Sequence, residues 1–321
     1  MMHSRIAGTG SYLPERILTN FDLEKMVDTT DEWIRSRTGI ERRRIAAEDE
    51  TTVDLAEQAA RRALDAAGVK PADIDFIAFG TTTPDLIFPN CGVLLQERLG
   101  CRGTPAFSVE TACAGFMYAL SIADKYVRLG EAKRALVIGA ETLSRITDWS
   151  DRSTAVLFAD GAGAVVLEPA PAPGILSTHL HADGSYKDLL YCASGVSKGF
   201  GEGKPRLAIS MVGSEVFKVA VTMLSKAVDE ALAANGLERS AVDWLVPHQA
   251  NIRIIQATAR KLDLPLERVI VTVQDHGNTS AASVPLALDV AVRDGRIKRG
   301  ELLLLEAFGG GFTWGSALIR Y

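Results

Sequence analysis

The chain reads "ALDAAGVKPADIDFI" at residues 63–77 and "ALAANGLERSAVDWL" at residues 231–245, and its fold follows from taking the two as one pattern used twice. In both, Ala-Leu, a glycine and an Asp-aromatic-aliphatic triplet recur at the same spacing, 168 residues apart. Each copy reads as a helix end, a glycine stop (Gly68 or Gly236), a short loop and a buried strand. The helix leading into the first copy puts Ala56, Ala59, Ala60, Ala63, Leu64 and Ala67 on one face, with Thr51 or Thr52 to cap it. A second pair, "GEAKRALVIGAE" from Gly130 and "GRIKRGELLLLEAFG" from Gly295, is offset by 165. Between the halves lies "EPAPAPG", residues 168–174, a proline-rich linker. The repeat predicts an α/β protein of two similar halves, residues 1–170 and 171–321, with strands and helices alternating in each.

A chain of 321 residues can bury a large core and suggests about two domains. Hydrophobic residues at 47% and charged ones at 23% are ordinary for a globular protein. No apolar run approaches the roughly 18 residues of a membrane span. The opening MMHSRIAGTGSYLPE lacks the apolar stretch of a signal peptide, so a cytoplasmic protein is expected. The four cysteines, Cys91, Cys101, Cys113 and Cys192, then read as reduced thiols, and none has zinc-site spacing. A net charge of −5 argues against bulk nucleic-acid binding.

Cys113, in "VETACAGF", sits where a strand ends and a helix begins. A free cysteine is most often a small buried apolar residue. Its placement argues otherwise, because a helix start presents free N–H groups and partial positive charge that favour thiolate. The offset of 165 sets Asn278, in "DHGNTSAASVPLAL", opposite Cys113, so both are expected to face one central pocket. His248, in "DWLVPHQANIRII", follows the buried strand of the second copy, where open α/β sheets place their chemistry. His276 is a rival, with loop neighbours that suggest a supporting role. His179 and His181 share a strand face but lack further ligands for a metal. His3, near the chain start, is given no role. Phe308 and the three glycines after it let backbone approach a ligand, and their N–H groups suit an oxyanion.

TACAGF with Cys113, VPHQAN with His248, GNTSAAS with Asn278 and the terminal AFGGGFTWGS together resemble the β-ketoacyl-acyl carrier protein synthase III family. The likeness runs nearly end to end and includes DTTDEWIRSRTGIERR. It implies the thiolase fold, two similar βαβαβαββ halves in a five-layer αβαβα arrangement, and a homodimer. It also implies a two-stage reaction. Cys113 takes an acyl group, usually acetyl, from acyl-CoA. Malonyl-acyl carrier protein then loses CO2, and its carbanion attacks the thioester. His248 and Asn278 would serve the enolate, and the N–H groups of Cys113 and Gly310 the acyl thioester. CoA thioesters are substrates in this scheme, and no cofactor or metal is implied. Trp33 and Arg37 match an adenine-contacting pair, Arg152 a residue near the CoA phosphates, and Phe88 an aromatic crossing the dimer into the neighbouring acyl pocket beside Phe308. Arg253, Arg260 and Lys261 could form a basic patch for an acidic carrier protein, or simply a solvated helix face. Ser214 stands where an asparagine is common, which puts the usual water and pantetheine contacts there in doubt.

Three rivals remain. A degradative thiolase would need a second cysteine in the terminal glycine motif, where none occurs. A condensing enzyme or acyltransferase of specialised metabolism shares every motif. A non-catalytic acyl-CoA-binding protein would not need the Cys-His-Asn set.

Overall fold

A computed structural model describes residues 2–321. The chain runs β1 (His3–Tyr12), β2 (Arg16–Thr19), α1 (Asn20–Leu23), α2 (Asp31–Thr38), β3 (Arg42–Ile45), α3 (Thr52–Ala67), β4 (Phe76–Gly80), α4 (Cys91–Leu99), β5 (Ala106–Val109), α5 (Gly115–Leu129), β6 (Ala135–Thr142), α6 (Arg152–Ala155) and β7 (Asp160–Ala170). It continues through β8 (Ile175–Ala182), β9 (Leu190–Cys192), β10 (Ile209–Met211), α7 (Gly213–Ala234), β11 (Trp244–Pro247), α8 (Ile252–Lys261), α9 (Val273–His276), α10 (Ser283–Arg293), β12 (Leu302–Gly309) and β13 (Thr313–Arg320).

Local signals explain the boundaries. Thr51 caps α3 by accepting the Asp54 N–H, and the Asp54 carboxylate accepts the Thr51 N–H in return. Gly68 ends α3 at φ 66°, and Gly236 takes φ 62° just past α7. The strands assemble into sheets ordered β1-β7-β6-β4-β5 and β11-β12-β13-β8. The fold is the thiolase type, with helices outside each sheet and a shared pair between them. Ala60, Ala63 and Leu64 of α3 pack on Leu95 of α4 over the outer face of the first sheet. Phe116 and Leu120 of α5 meet Val284 and Leu288 of α10 between the sheets. Val228 of α7 and Ile255 of α8 cover the second sheet from outside.

The register corrects one part of the repeat. Phe76 pairs with Ala135, and Trp244 with Leu303, so an offset of 168 holds in both parallel pairs. It also holds at the central helices, each entered through one tight turn, Ala112–Ala114 before α5 and Ser280–Ala282 before α10. Ala112 at φ 46° and Ser280 at φ 49° occupy the same left-handed position. The counterpart of Cys113 is therefore Ala281, not Asn278. The offset of 165 is local. Helix α10 has 11 residues against 15 in α5, and the loop from Gly295 to β12 makes up the difference.

The second half also departs from the first in its third strand. The counterpart of β5 is a single bridge between Leu245 and Val269. Beyond it, the Gln249 side chain takes the backbone groups, donating to the Ile270 carbonyl at 2.9 Å and accepting from the Thr272 and Val273 N–H groups.

At the centre the two helix starts sit directly on glycines of the first sheet. A Cβ on Gly139 of β6 would stand 2.1 Å from the Ala281 carbonyl oxygen, and one on Gly80 of β4 would stand 2.5 Å from the Gly115 carbonyl carbon. Gly139→Ala is expected to destabilise the protein by about 1–3 kcal/mol, the usual cost of overpacking a filled core. Urea denaturation measures it, and an unchanged midpoint would show that the start of α10 moves off β6 freely.

Candidate active site

Cys113 sits on the turn that leads into α5, 6% exposed. The end of β12 presses on its backbone, and a Cβ on Gly309 would lie 2.7 Å from the Cys113 nitrogen. Only glycine permits that approach. The helix start does not lower the thiol pKa as its position suggested. Burial pushes it up to about 12, the Glu141 carboxylate adds to the rise, and the facing Ser280 hydroxyl and the local N–H oppose it. Desolvation is the largest of these influences, because the residue is almost wholly buried.

His248 follows β11. Its backbone N–H donates to the Glu306 carbonyl at 2.8 Å. Its neighbour Gln249 donates from its own N–H to the Ser283 hydroxyl at the start of α10, at 2.6 Å. Burial pushes the imidazole down to about 3, so the ring is neutral near pH 7. Asn278 is stitched to the first half, donating to the Leu157 carbonyl and accepting from the Ala159 N–H, each at 2.9 Å. Its side-chain Oδ1 accepts the Ser280 N–H at 2.9 Å. That fixes the amide orientation and leaves the NH2 to donate.

Arg43, inside the IERRR run, holds this region from beneath. Its guanidinium donates twice to the Val156 carbonyl, at 3.1 and 2.6 Å, and once to Asn20 Oδ1 at 2.7 Å. Burial lowers its pKa to about 9. Sequence reasoning passed over Arg43, Gln249, Ser280 and Glu141. All four lie in stretches quoted for other reasons, and Glu141 carried a signal of its own, an acid at the end of an apolar strand.

Cys113, His248, Asn278, Phe308 and Ser214 open onto one cavity of about 630 Å³. Its inner wall is apolar, with Leu190, Met211, Leu224 and Phe308 among its residues. Its outer part carries Trp33, Arg37, Lys218 and Arg253. Trp33 and Arg37 share a face of α2, one turn apart. The Arg152 guanidinium lies 4.8 Å over the Trp33 ring, and Arg253 lies 5.5 Å over Phe217. Other sequence candidates lie elsewhere. Phe88 is 83% exposed and off the wall. Gly310 follows β12 and is off the wall as well, packed on Leu190, where an added Cβ would meet the carbonyl oxygen at 2.8 Å. Arg260 and Lys261 occupy the far end of α8. His276 is buried off the cavity, with its pKa lowered to about 4. His179 and His181 bind Glu230 on α7, the latter at 2.6 Å. Among the described residues no group of three or more side chains has metal-binding geometry.

Two α/β halves closing on a buried thiol, with a neutral imidazole and an amide beside it, define a condensing enzyme of the thiolase-fold class. Residues 107–184 match the family model described as 3-oxoacyl-[acyl-carrier-protein (ACP)] synthase III, and residues 232–321 match its C-terminal model. A β-ketoacyl-[acyl-carrier-protein] synthase III of Xanthomonas campestris pv. campestris is 66% identical, covering 100% of this chain and 99% of the relative. One of Alkalilimnicola ehrlichii is 64% identical over all of both chains. The crystal structure of the Aquifex aeolicus enzyme superposes with a TM-score of 0.93 at 49% identity, over 99% of this chain and 100% of that one. The priming β-ketosynthase of the R1128 polyketide pathway gives 0.94 at 40%, over 99% and 96%. The chain belongs to the 3-oxoacyl-acyl carrier protein synthase III family.

Glu306 lies on β12 beside Pro247, wholly buried. Neither carboxyl oxygen has a hydrogen-bond partner, although the Thr258 hydroxyl faces it from α8. Burial pushes its pKa up to about 8. A raised folded-state pKa gives stability that is full below the unfolded value, near 4.5, and is lost as pH rises toward about 8. Glu306→Gln is therefore expected to gain stability relative to the parent between pH 5 and pH 8.5. Urea melts at the two pH values measure this, and a constant difference would mean that Glu306 does not stay protonated.

Proposed function

We propose that this protein joins an acyl-CoA primer, acetyl-CoA by preference, to malonyl-acyl carrier protein by decarboxylative Claisen condensation through an acyl-Cys113 thioester. The observation that carries the reading is the cavity itself, where one thiol, one neutral histidine and one oriented asparagine amide share an apolar wall.

Acylation exchanges one thioester for another. Cys113 sulfur bonds to the acyl carbon, the bond to CoA sulfur breaks, and the thiol proton leaves with CoA. No net charge remains, which suits a site that disfavours ions. In the second step the malonyl carboxylate leaves as CO2, and its electron pair passes to the thioester oxygen as an enolate. Neutral N–H donors from His248 and Asn278 stabilise that oxygen, and asparagine cannot remove a proton, so its part is electrostatic. The enolate carbon attacks the acyl carbon on Cys113. The C–S bond breaks, and the thiolate takes up one proton. A thiol held near 12 favours that recovery. The acyl oxygen is assigned to the N–H groups of Cys113 and of Gly310, which is off the cavity wall but follows the glycine packed on the Cys113 nitrogen.

Trp33, Arg37 and Arg152 are assigned to the nucleotide end of CoA, with Lys218 on the same rim. The first half, residues 1–170, would supply the nucleophile and the second, residues 171–321, His248 and Asn278. The exposed tip Leu86–Phe88 and the edge strand β5 favour a homodimer in which Phe88 enters the neighbouring acyl pocket. Among the described residues no helix is long and apolar enough to cross a membrane. A cytoplasmic setting fits the free thiols. The R1128 relative keeps a role in specialised metabolism as the second reading. A panel of acyl-CoAs and carrier proteins separates the two.

Peptide mapping after brief exposure to labelled acetyl-CoA is expected to find label on Cys113 alone, and label only on Cys91, Cys101 or Cys192 would sink the assignment. His248→Ala and Asn278→Ala should still acylate but release CO2 from malonyl-acyl carrier protein about 10²–10³ times more slowly. A stable adduct without turnover in the unmodified protein would favour the binding-protein reading.

Arg253→Glu should slow condensation with malonyl-acyl carrier protein and leave acylation nearly intact, with the effect fading at high salt. Equal slowing of both steps would move Arg253 to CoA binding. No effect on either would move docking to Arg260 and Lys261.

A further inference from the structure

Ser280 is joined to both Asn278 and Cys113, and none of the chemistry above uses its side chain. Its backbone N–H holds the Asn278 amide at 2.9 Å. Its hydroxyl faces the Cys113 thiol and donates to Glu141 Oε1 at 3.1 Å. It does so from a left-handed backbone, φ 49°, and 98% of its surface is covered. Glu141 is wholly buried at the end of β6. It is held from the other side by the segment after β4, accepting from the Thr83 hydroxyl at 2.5 Å, the Thr82 N–H at 3.1 Å and the Thr81 hydroxyl at 3.2 Å.

We propose that Ser280, held by Glu141, is a positioning residue that sets the reactivity of the Cys113 thiol. A hydroxyl has one proton to give. While the sulfur is a thiol, the Ser280 proton rests on Glu141 and its lone pairs face the sulfur. When the sulfur carries charge, during acylation and again when the thioester breaks, the O–H turns to it. Glu141 thereby keeps the hydroxyl in place between charged moments, and when ionised its charge opposes early loss of the thiol proton; burial raises its own pKa, and the hydrogen bonds from Thr83, Thr82 and Ser280 oppose that rise. The two residues act on the thiol in opposite directions. The ionisable groups around the sulfur are Glu141 from β6 and His248 from the end of β11, and the latter stays neutral over the range tested.

The inference rests on Cys113 being the nucleophile, and its test is chosen to stand apart from that reading. Iodoacetamide alkylation of Cys113, followed by peptide mass from pH 6 to pH 10, reports the thiol whatever the substrate. Ser280→Ala removes the hydroxyl and keeps the N–H that holds Asn278. Its backbone is safe, because Ala112 holds the same conformation at the equivalent position, φ 46°. Ser280→Ala is expected to shift the alkylation profile to higher pH, slowing the reaction about tenfold at pH 7 for a shift of one unit. Glu141→Gln is expected to shift it the other way and speed alkylation at low pH. Opposite shifts support the proposal. A profile unmoved by Ser280→Ala overturns it, as does equal slowing by both variants at every pH. If Glu141→Gln fails to fold, the Ser280→Ala profile decides alone. Acetyl label missing from Cys113 in the parent would instead overturn the nucleophile assignment and leave the alkylation result standing.

Discussion

The structure depends on two helix starts that meet at its centre, seated on glycines of the first sheet. The carbonyl of Ala281 lies where a side chain on Gly139 would be, and a Cβ on Gly115 would stand 3.2 Å from that of Ala281. Any side chain at residue 139 would push the start of α10 off β6. Because none is there, the turns before α5 and α10 lie side by side, and what they carry converges. Cys113 comes on one turn. Ser280 comes on the other, with Asn278 two residues before it. β12 then closes from the side, its final glycine against the Cys113 nitrogen. The site is thus a product of close packing, and close packing is also what keeps it dry.

Dryness sets the electrostatics. Burial holds the thiol protonated, the imidazole neutral and Glu306 protonated near neutral pH. Cys113 and His248 therefore face the cavity as neutral groups, while the cations Arg37, Lys218 and Arg253 lie at its outer end. Charge is collected at the rim and made inside only as bonds change. Donors fixed in advance are worth most under those conditions, because they do not reorganise when the oxyanion forms. Asn278 meets that requirement through its tie to the Ser280 N–H. Arg43 meets it one step further out, by fixing Val156 beside the segment that Asn278 is stitched to.

Much of this was legible in the residues. The repeated helix-glycine-strand unit gave the two halves and their sheets, because glycine stops and apolar strands are local signals. Cys113, His248 and Asn278 were legible as motifs, and the structure brings them to one cavity. What was not legible depended on distance. The 165 offset misplaced the counterpart of Cys113 because a shortened α10 and a lengthened loop cancel only beyond the helix. The sign of the thiol shift was misjudged because a helix start is visible in sequence and the closure around it is not. Ser280 and Glu141 sit 139 residues apart, and nothing local joins them. Arg260 and Lys261 follow Arg253 by about two turns on α8, so a cluster in sequence spreads along a helix by about 10 Å.

The two halves have diverged where their tasks differ. In the first, the segment beside β4 is a full strand, β5, with one edge open. In the second, the matching segment keeps one bridge at Val269, and Gln249 takes the hydrogen bonds a strand would have used. Gln249 directly follows His248, so the same side chain ties down the histidine loop and replaces the ladder. A strand there would have continued extended past Val269, whereas the chain turns into α9 and delivers Asn278 to the Leu157 carbonyl. Losing a strand is therefore what lets the second half contribute both of its site residues. It also removes one of two equivalent sheet edges. Of that pair only β5 remains open to another strand.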